Sequence, residues 1–205
     1  MEEDKKEHWE QVYHTKNPDQ VSWTQAVPQT SLNLIRDFDL AKTDRIIDIG
    51  GGDSKLVDFL LQDGYTNITV LDISEAALAK AKARLGEKSS QVTWIVCDIT
   101  NFEPTETYTL WHDRAAFHFL TTQDQIAGYL NIAAKAVGNY LVIGTFSENG
   151  PEKCSGLAIK QYAEQQLQAI FDEHFEKVTC FTEDHTTPFA TKQNFLFCSF
   201  KKRKV

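Results

Sequence analysis

The sequence has no excess of basic residues and no long apolar run. It contains 21 lysines and arginines against 29 aspartates and glutamates, a formal net charge of -8. Proteins that bind nucleic acid gather a basic surface against the phosphates, so we expect no DNA or RNA partner. No run approaches the roughly 18 apolar residues of a membrane-spanning helix. We therefore expect a soluble, cytoplasmic protein with no membrane partner.

Cysteine is also sparse and is never arranged as Cys-x-x-Cys. Cys97, Cys154, Cys180 and Cys198 lie far apart, with no histidine at a metal-ligand spacing. This pattern predicts reduced, packed thiols and no metal site. The basic stretch KKRK at 201–204 is interpreted as a solvated tail.

Apolar, β-rich runs alternate with amphipathic stretches after about residue 40, which is typical of βα units on a largely parallel sheet. We predict strands at 45–49, 68–72, 93–97, 108–112, 140–145, 177–181 and 195–200. Only a short loop separates the last two, so they are expected to pair antiparallel. The predicted fold class is α/β: a three-layer, doubly wound, mostly parallel seven-stranded sheet with the last strand antiparallel.

The helices between these strands carry boundary signals. Gly64 and Gly86 stop two amphipathic stretches, and Ser74 precedes the second of them as an N-cap. Thr122 and Gln125 form a capping box for a helix that continues to about residue 136.

The first 40 residues differ from the rest, because aromatic side chains stand there in a polar setting and Pro28 favours a helix start. We predict one domain, 1–205, with a helical cap over 1–40 and the doubly wound core over 41–205.

A glycine-rich loop, IIDIGGGDSKL, follows the first predicted strand. Asp48 closes the strand, and Gly50, Gly51 and Gly52 allow the backbone to turn and to approach a ligand. Open parallel sheets bind ligands beyond the carboxyl ends of their strands. The dinucleotide fingerprint GxGxxG would need a glycine where Lys55 stands, so a pyrophosphate-binding loop fits poorly. The alternative is an ordinary βα turn.

The second and third predicted strands also end in aspartate. Asp72 follows Asp48 by 24 residues, close to the spacing at which an acid accepts hydrogen bonds from ribose hydroxyls. Asp98 follows the third strand, although it could simply open a loop. Three strand ends with aspartate favour one shared ligand site.

These residues resemble the class I S-adenosylmethionine-dependent methyltransferases. That family has [DE]-x-G-x-G after its first strand, a ribose-binding acid after its second, and an aspartate followed by an apolar residue beside the adenine after its third. The matching residues are Asp48, Gly50 and Gly52, then Asp72 and Ile73, then Asp98 and Ile99. The resemblance covers about residues 45–147, with Ser54 where many members have glycine. It implies a Rossmann-like core, S-adenosylmethionine as cofactor and S-adenosylhomocysteine as product.

The cofactor site is expected to include Gly51 and Asp113 and two aromatic residues of the cap. Tyr13 and Trp23 either fill a hydrophobic core or cover the cofactor, where an aromatic face would stabilise a sulfonium cation.

The segment YTLWHDRAAFHFL, residues 108–120, resembles the fourth-strand motif of the same family. We take His112, Asp113 and His118 as candidates for a catalytic base and its orienting groups. The alternative for His118 is a packed core histidine. Arg114 could pair with an acidic substrate or with a neighbouring carboxylate.

The predicted activity is methyl transfer to a nucleophile on a small molecule by in-line displacement, which depends mainly on alignment and exclusion of water. The [DN]-P-P-[YFW] tetrad, which would favour an adenine or glutamine acceptor, is missing. The alternatives are a protein side-chain methyltransferase acting on lysine, an NAD-dependent oxidoreductase, and a non-catalytic module that binds the cofactor.

Overall fold

The computed structural model describes residues 2–204, with side chains from Lys5 onward. Met1 and Val205, the ends of the predicted domain 1–205, lie outside the described residues. The division into a cap over 1–40 and a core over 41–205 stays a prediction.

Among the described residues, seven strands form one sheet and two more form a separate hairpin. The strands are β1 (Ile46–Ile49), β2 (Ile68–Asp72), β3 (Val92–Val96), β4 (Tyr108–Arg114), β5 (Val137–Phe146), β6 (Lys153–Cys154), β7 (Leu157–Ala158), β8 (Phe175–Thr186) and β9 (Lys192–Lys202). The sheet order is β3-β2-β1-β4-β5-β9-β8, and β6 pairs with β7 alone. The seven predicted strands and the fold class are confirmed, while the short hairpin was missed.

The last strand is reversed, as predicted. β9 runs antiparallel to both β5 and β8, whereas β1 to β5 pair in parallel. β8 and β9 are longer than expected, because their polar outer portions hide the strand pattern in the sequence. β1 lies between β2 and β4, so the chain leaves it first to one side and later to the other. A crevice opens at such a reversal, at the carboxyl ends of the strands.

Six α-helices flank the sheet within residues 2–204. They are α1 (Glu2–Thr15), α2 (Gln29–Arg36), α3 (Leu56–Gln62), α4 (Glu75–Leu85), α5 (Gln123–Ala136) and α6 (Glu164–Phe171). The capping box of α5 is present, and the hydroxyl of Ser74 caps α4 by accepting from the N–H of Ala77. Pro28 stands one position before the first residue of α2 instead of within it.

Two hydrophobic clusters form the core. Successive residues of one strand enter different clusters: Ile46 and Leu110 belong to one, and Ile47 and Trp111 to the other. Side chains of a strand alternate between the faces of its sheet, so the clusters lie on opposite faces. This arrangement is the predicted three-layer sandwich.

Two of the four cysteines are not free thiols. Cys180 and Cys198 face each other across β8 and β9, with their Cα atoms 4.1 Å apart, and are joined as a disulfide. The prediction of reduced thiols is wrong for this pair, because strand register brings together residues 18 apart in the chain. Cys97 and Cys154 are free.

The basic C-terminal stretch is mostly exposed, as predicted, but its first two residues belong to the last strand. β9 extends to Lys202, whose Nζ donates to the carbonyl of Ala134. Arg203 pairs with Asp172 at 2.7 Å. The interpretation missed these contacts, because the oxygens that the long side chains reach belong to elements distant in the sequence.

Neither a membrane-crossing helix nor a metal-binding cluster occurs in the part of the chain that the structure describes. No helix there is long and apolar enough to cross a bilayer. No three histidine, cysteine, aspartate or glutamate side chains among these residues are grouped so that they could hold a metal ion.

Replacing the N-cap of α5 tests the assigned helix start. Thr122→Ala removes the hydroxyl that accepts from the N–H of Gln125, so we expect a loss of about 1 kcal/mol in the free energy of unfolding. Urea unfolding measures the loss. Thr121→Ala is the control, and an equal effect of both substitutions would contradict the assignment.

Candidate active site

A cavity lies at the carboxyl ends of the first four strands, beneath α1. Seven residues that the sequence places at a cofactor site line it: Tyr13, Trp23, Gly50, Asp72, Ile73, Asp98 and Ile99. A second cavity shares Tyr13, Trp23 and Gly50 with the first and adds Asp48, Gly51 and His112. The fold therefore brings most of the predicted site residues together.

The glycine loop after β1 turns through two left-handed positions, with φ of 62° at Gly50 and 49° at Gly52. A Cβ atom at Gly50 would lie 2.6 Å from the Cβ of Ala116, and one at Gly52 would lie 2.7 Å from the hydroxyl oxygen of Tyr13. One at Gly51 would lie 2.7 Å from the Oδ2 of Asp48. Glycine is thus required by contacts within the protein as well as by the turn.

Asp72 is buried at the end of β2 and lines the first cavity. Its Oδ1 accepts from the N–H of Ser74 at 2.8 Å. Burial raises the pKa of Asp72 to about 7, and nearby Asp48 and Asp53 add to this, against hydrogen bonds from the N–H groups of Ser74 and Gly52. A carboxylate with this pKa changes charge near neutral pH and can accept from hydroxyl donors when ionised.

Tyr13 of α1 covers the corner formed by Gly52 and Asp72. Burial, and then the charge of Asp72, raise the pKa of Tyr13 well above its usual value of 10. Its phenol is therefore neutral at neutral pH and can both donate and accept a hydrogen bond inside the cavity.

The contact between α1 and the sheet depends on Glu10, which sequence reasoning missed. Its carboxylate accepts from the N–H groups of Glu75 and Ala76 at 2.6 and 3.0 Å and from the hydroxyl of Ser74 at 3.2 Å. A carboxylate at a helix N-terminus satisfies free N–H groups and interacts favourably with the helix dipole. Glu10 thus holds α1 over the cavity by binding the start of α4, and nothing local in its own sequence segment indicates a partner 64 residues away.

Aromatic rings form one wall of the first cavity. Trp9 lies 5.6 Å from Trp23 and 5.1 Å from Phe119 between ring centroids, and Tyr13 lies 6.3 Å from Trp23. Tyr13 and Trp23 therefore pack on neighbouring rings and also line the cavity, and their contact with a cofactor stays a prediction. Trp9 and Phe119 complete the wall and were not assigned to it from the sequence.

The third-strand acid is less free than Asp72. The Oδ1 of Asp98 accepts from the backbone N–H and the hydroxyl of Thr100, at 2.8 and 2.7 Å. Asp98 and Ile99 line the first cavity, as does Cys97. One carboxylate oxygen of Asp98 therefore orders its own turn, as the alternative interpretation supposed, while the residue also faces the cavity.

His112 belongs to a buried chain of hydrogen bonds. Its Nδ1 lies 2.7 Å from Oδ1 of Asp48, and its Nε2 lies 2.8 Å from Oγ of Ser31. An ionised carboxylate only accepts, so Nδ1 donates to Asp48, and in the neutral ring Nε2 then accepts from the hydroxyl of Ser31. Both ring nitrogens are engaged, and the chain joins α2 to β1 and β4.

Asp113 is buried and lines neither cavity. Its carboxylate accepts from the N–H groups of Ala116 and Phe117, at 3.1 and 3.0 Å, and from the hydroxyl of Tyr129 at 2.9 Å. Burial raises the pKa of Asp113 to about 6, opposed first by the hydrogen bond from Tyr129. Asp113 holds the turn whose Ala116 packs on Gly50, so its contact with the cavity is indirect.

His118 also lies outside both cavities and is fully buried. Its ring stacks on Phe146 with centroids 4.4 Å apart, and neither ring nitrogen has a hydrogen-bond partner among the described residues. Burial, with nearby Arg114 adding to it, lowers the pKa of His118 to about 3. The residue has the environment of a packed, neutral core histidine.

The central part of the chain matches a known family. Residues 46–137 match the family described as "Methyltransferase domain". A curated relative, malonyl-[acyl-carrier protein] O-methyltransferase from Anoxybacillus flavithermus, is 34% identical over 105 residues. This aligned segment covers 50% of the present chain and 39% of the relative.

Solved structures of similar fold extend the likeness to nearly the whole chain. The N-methyltransferase NodS from Bradyrhizobium japonicum, solved with S-adenosylhomocysteine, is 18% identical with a TM-score of 0.74, covering 95% of this chain and 98% of NodS. The 1,6-didemethyltoxoflavin-N1-methyltransferase from Burkholderia thailandensis is 17% identical with a TM-score of 0.72, covering 97% of this chain and 87% of that one.

Removing the hydroxyl of Ser31 tests whether the buried hydrogen bonds from Ser31 through His112 to Asp48 anchor α2. Ser31→Ala leaves Nε2 of His112 without a donor, and an unsatisfied buried polar atom costs about 1–3 kcal/mol. We expect the free energy of unfolding, measured in urea, to fall by that amount. Asn33→Ala, at an exposed position of α2, is the control. Equal stability of Ser31→Ala and the parent protein would mean that these hydrogen bonds contribute nothing to stability.

Proposed function

We propose that this chain, a member of the class I S-adenosylmethionine-dependent methyltransferases, binds S-adenosylmethionine and transfers its methyl group to a nucleophile on a small molecule. The observation that carries the proposal is one cavity at the ends of β1, β2 and β3 that Gly50, Asp72 and Asp98 line together. Ligands of open α/β sheets bind in this position.

The lining suits an adenosyl ligand. Asp72 offers a buried carboxylate as an acceptor for the two ribose hydroxyls, and its bond from the N–H of Ser74 fixes its orientation. We assign the adenine to the apolar surfaces of Ile73 and Ile99, with Asp98 at the edge of the ring. The aromatic wall of Trp9, Tyr13 and Trp23 suits a sulfonium, since cations bind favourably against aromatic faces.

S-adenosylmethionine supplies a methyl group on a sulfonium whose leaving group is already activated. The protein therefore has to align the acceptor and exclude water. We assign the exclusion of water to α1, which Glu10 fastens over the cavity, and to Trp23.

The placement of the three catalytic candidates supports positioning over proton transfer. His112 has both ring nitrogens engaged, and Asp113 holds the turn that packs on the glycine loop. His118 lines neither cavity, and its low pKa keeps the ring neutral. We propose that His112 and Asp113 order the site, and that the acceptor reaches it with its nucleophilic electron pair free.

The relatives support a small acceptor. The Burkholderia thailandensis enzyme was solved with bound 1,6-didemethyltoxoflavin together with S-adenosylhomocysteine. In this chain both cavities are lined by residues at the carboxyl ends of strands and by residues of the N-terminal helices and the segment between them.

The function is tested by binding and by isotope transfer. We expect saturable calorimetric binding of S-adenosylhomocysteine and no binding of NADH. With labelled S-adenosylmethionine and cell extract, label should enter the small-molecule fraction only when the protein is present. Label in the protein fraction would instead support a side-chain methyltransferase. Binding without transfer to any fraction would support a non-catalytic module, and a preference for NADH would refute the proposal.

The pKa of Asp72 makes cofactor affinity depend on pH. Below about pH 7 the carboxyl becomes protonated and loses acceptor capacity, so the affinity for S-adenosylhomocysteine should fall as the pH drops from 8 to 5.5. The limiting slope is about tenfold per pH unit. Calorimetry over this range measures it.

Asp72→Asn identifies the group responsible. The variant should bind about 1.5–3 kcal/mol more weakly at pH 8, as expected for lost hydrogen bonds to a charged group, and its affinity should be flat with pH. Asp63→Asn, which alters an exposed partner of Arg36, is the control. A pH dependence that persists in Asp72→Asn would remove Asp72 from the ligand site.

A further inference from the structure

Arg114, the last residue of β4, has an unusual hydrogen-bonding state. Its Nη1 donates to the carbonyl of Trp23 at 3.0 Å. Its Nε and Nη2 are shielded from solvent and have no partner among the described residues. Leaving buried donors unpaired is costly, and it is more costly for a charged group. The free state of this protein therefore carries unsatisfied donors that a ligand could satisfy.

The four other arginines each pair with a carboxylate. Their partners are Asp63 for Arg36, Glu106 for Arg45, Asp58 for Arg84 and Asp172 for Arg203. Arg114 has no such ion pair within the described part of the chain, since the nearby acids are engaged elsewhere. Glu183 accepts from the hydroxyl of Thr30, and Asp48 binds His112. Burial lowers the pKa of Arg114 to about 10, so the guanidinium is still charged at neutral pH.

The guanidinium is held in place before any ligand arrives. Its Cζ lies 4.6 Å from the ring centroid of Phe195, and the bond to Trp23 fixes one nitrogen. Nε and Nη2 form one edge of the planar group, and two parallel N–H bonds from such an edge match the two oxygens of a carboxylate. The free edge is thus preorganised for a bidentate anion.

Arg114 lines both cavities and so lies where the two cavities adjoin. The residues assigned to the adenosyl group follow β2 and β3, on the other side of β1 from Arg114. Arg114 therefore lies on the side of β1 where a second ligand, the methyl acceptor, could bind beside the adenosyl group. The surrounding wall is largely apolar and includes Trp23, Ala115 and Phe119.

We propose that Arg114 binds a carboxylate of the methyl acceptor through Nε and Nη2, so that the acceptor is a small carboxylic acid with an apolar body. This inference rests on the proposed function and names its substrate class. It disfavours a lysine side chain as acceptor, because a lysine side chain carries no carboxylate for the Nε and Nη2 edge of Arg114 to bind.

Paired probes test the inference on the protein saturated with S-adenosylhomocysteine. Butyrate, succinate and benzoate are each titrated against the corresponding amide, with tryptophan fluorescence as the readout because Trp9 and Trp23 line the cavity. Phenyl phosphate is added as a non-carboxylate anion. We expect at least one carboxylate to bind about tenfold more tightly than its amide, as a charge-assisted bidentate pair requires.

Arg114→Gln should remove that preference while its affinity for S-adenosylhomocysteine stays within about twofold of the parent value. Arg114→Lys keeps the charge without the planar edge and should recover only part of the preference. Arg45→Gln, at an exposed ion pair, is the matched control and should change neither affinity. Thermal unfolding of each variant shows whether it is folded.

Several outcomes would overturn the inference. One is equal binding of every acid and amide by the parent protein, or no binding of any of them. Another is tight binding of phenyl phosphate alone. A large loss of affinity for S-adenosylhomocysteine in Arg114→Gln would instead assign Arg114 to the cofactor's own carboxylate. Failure of the parent protein to bind S-adenosylhomocysteine at all would refute the proposed function. The preference for a carboxylate over its amide is a separate measurement, so the two failures can be told apart.

Discussion

The parallel alignment of the first four strands is the constraint on which the site depends. In the register of the sheet, Ile49 stands beside Leu71 on one side and beside Asp113 on the other. Because the strands share one direction, the residues that follow them emerge at the same edge. The glycine loop, Asp72, Asp98 and Arg114 thereby line one cavity although they are spread over more than sixty residues of chain.

The same edge concentrates buried acids, and each has a different environment. Asp48 is bound to His112, and Asp113 is bound by two N–H groups and the hydroxyl of Tyr129. Asp72 has fewer compensating hydrogen bonds and lies near two other acids, so its pKa is raised to about 7. Burial without full compensation is what makes a carboxylate available to a ligand, whereas a fully bonded one orders the protein.

The N-terminal helices α1 and α2 are held to the rest of the fold by polar contacts as well as by packing. Glu10 satisfies N–H groups at the start of α4, and Ser31 completes the hydrogen-bond chain through His112 to Asp48. The first contact joins α1 to α4, the helix that follows β2. The second joins α2 to β4 and β1. Glu10 thus holds α1 over the cavity, and Ser31 joins α2 to the end of β1, from which the glycine loop leaves.

The sequence by itself determined the strands, the last reversed strand, the glycine loop and the acids at the ends of β1, β2 and β3. These features follow from local periodicity, turn residues and spacing, which act over short stretches of chain. Only the tertiary structure decided that Asp113 and His118 are buried away from the cavities, that Glu10 binds α4, and that Cys180 faces Cys198. It also decided that Arg114 keeps two unpaired nitrogens. The physical reason is that burial, hydrogen-bond partners and strand register are set by elements distant in the chain, and local residue patterns carry no information about which side chain arrives opposite which.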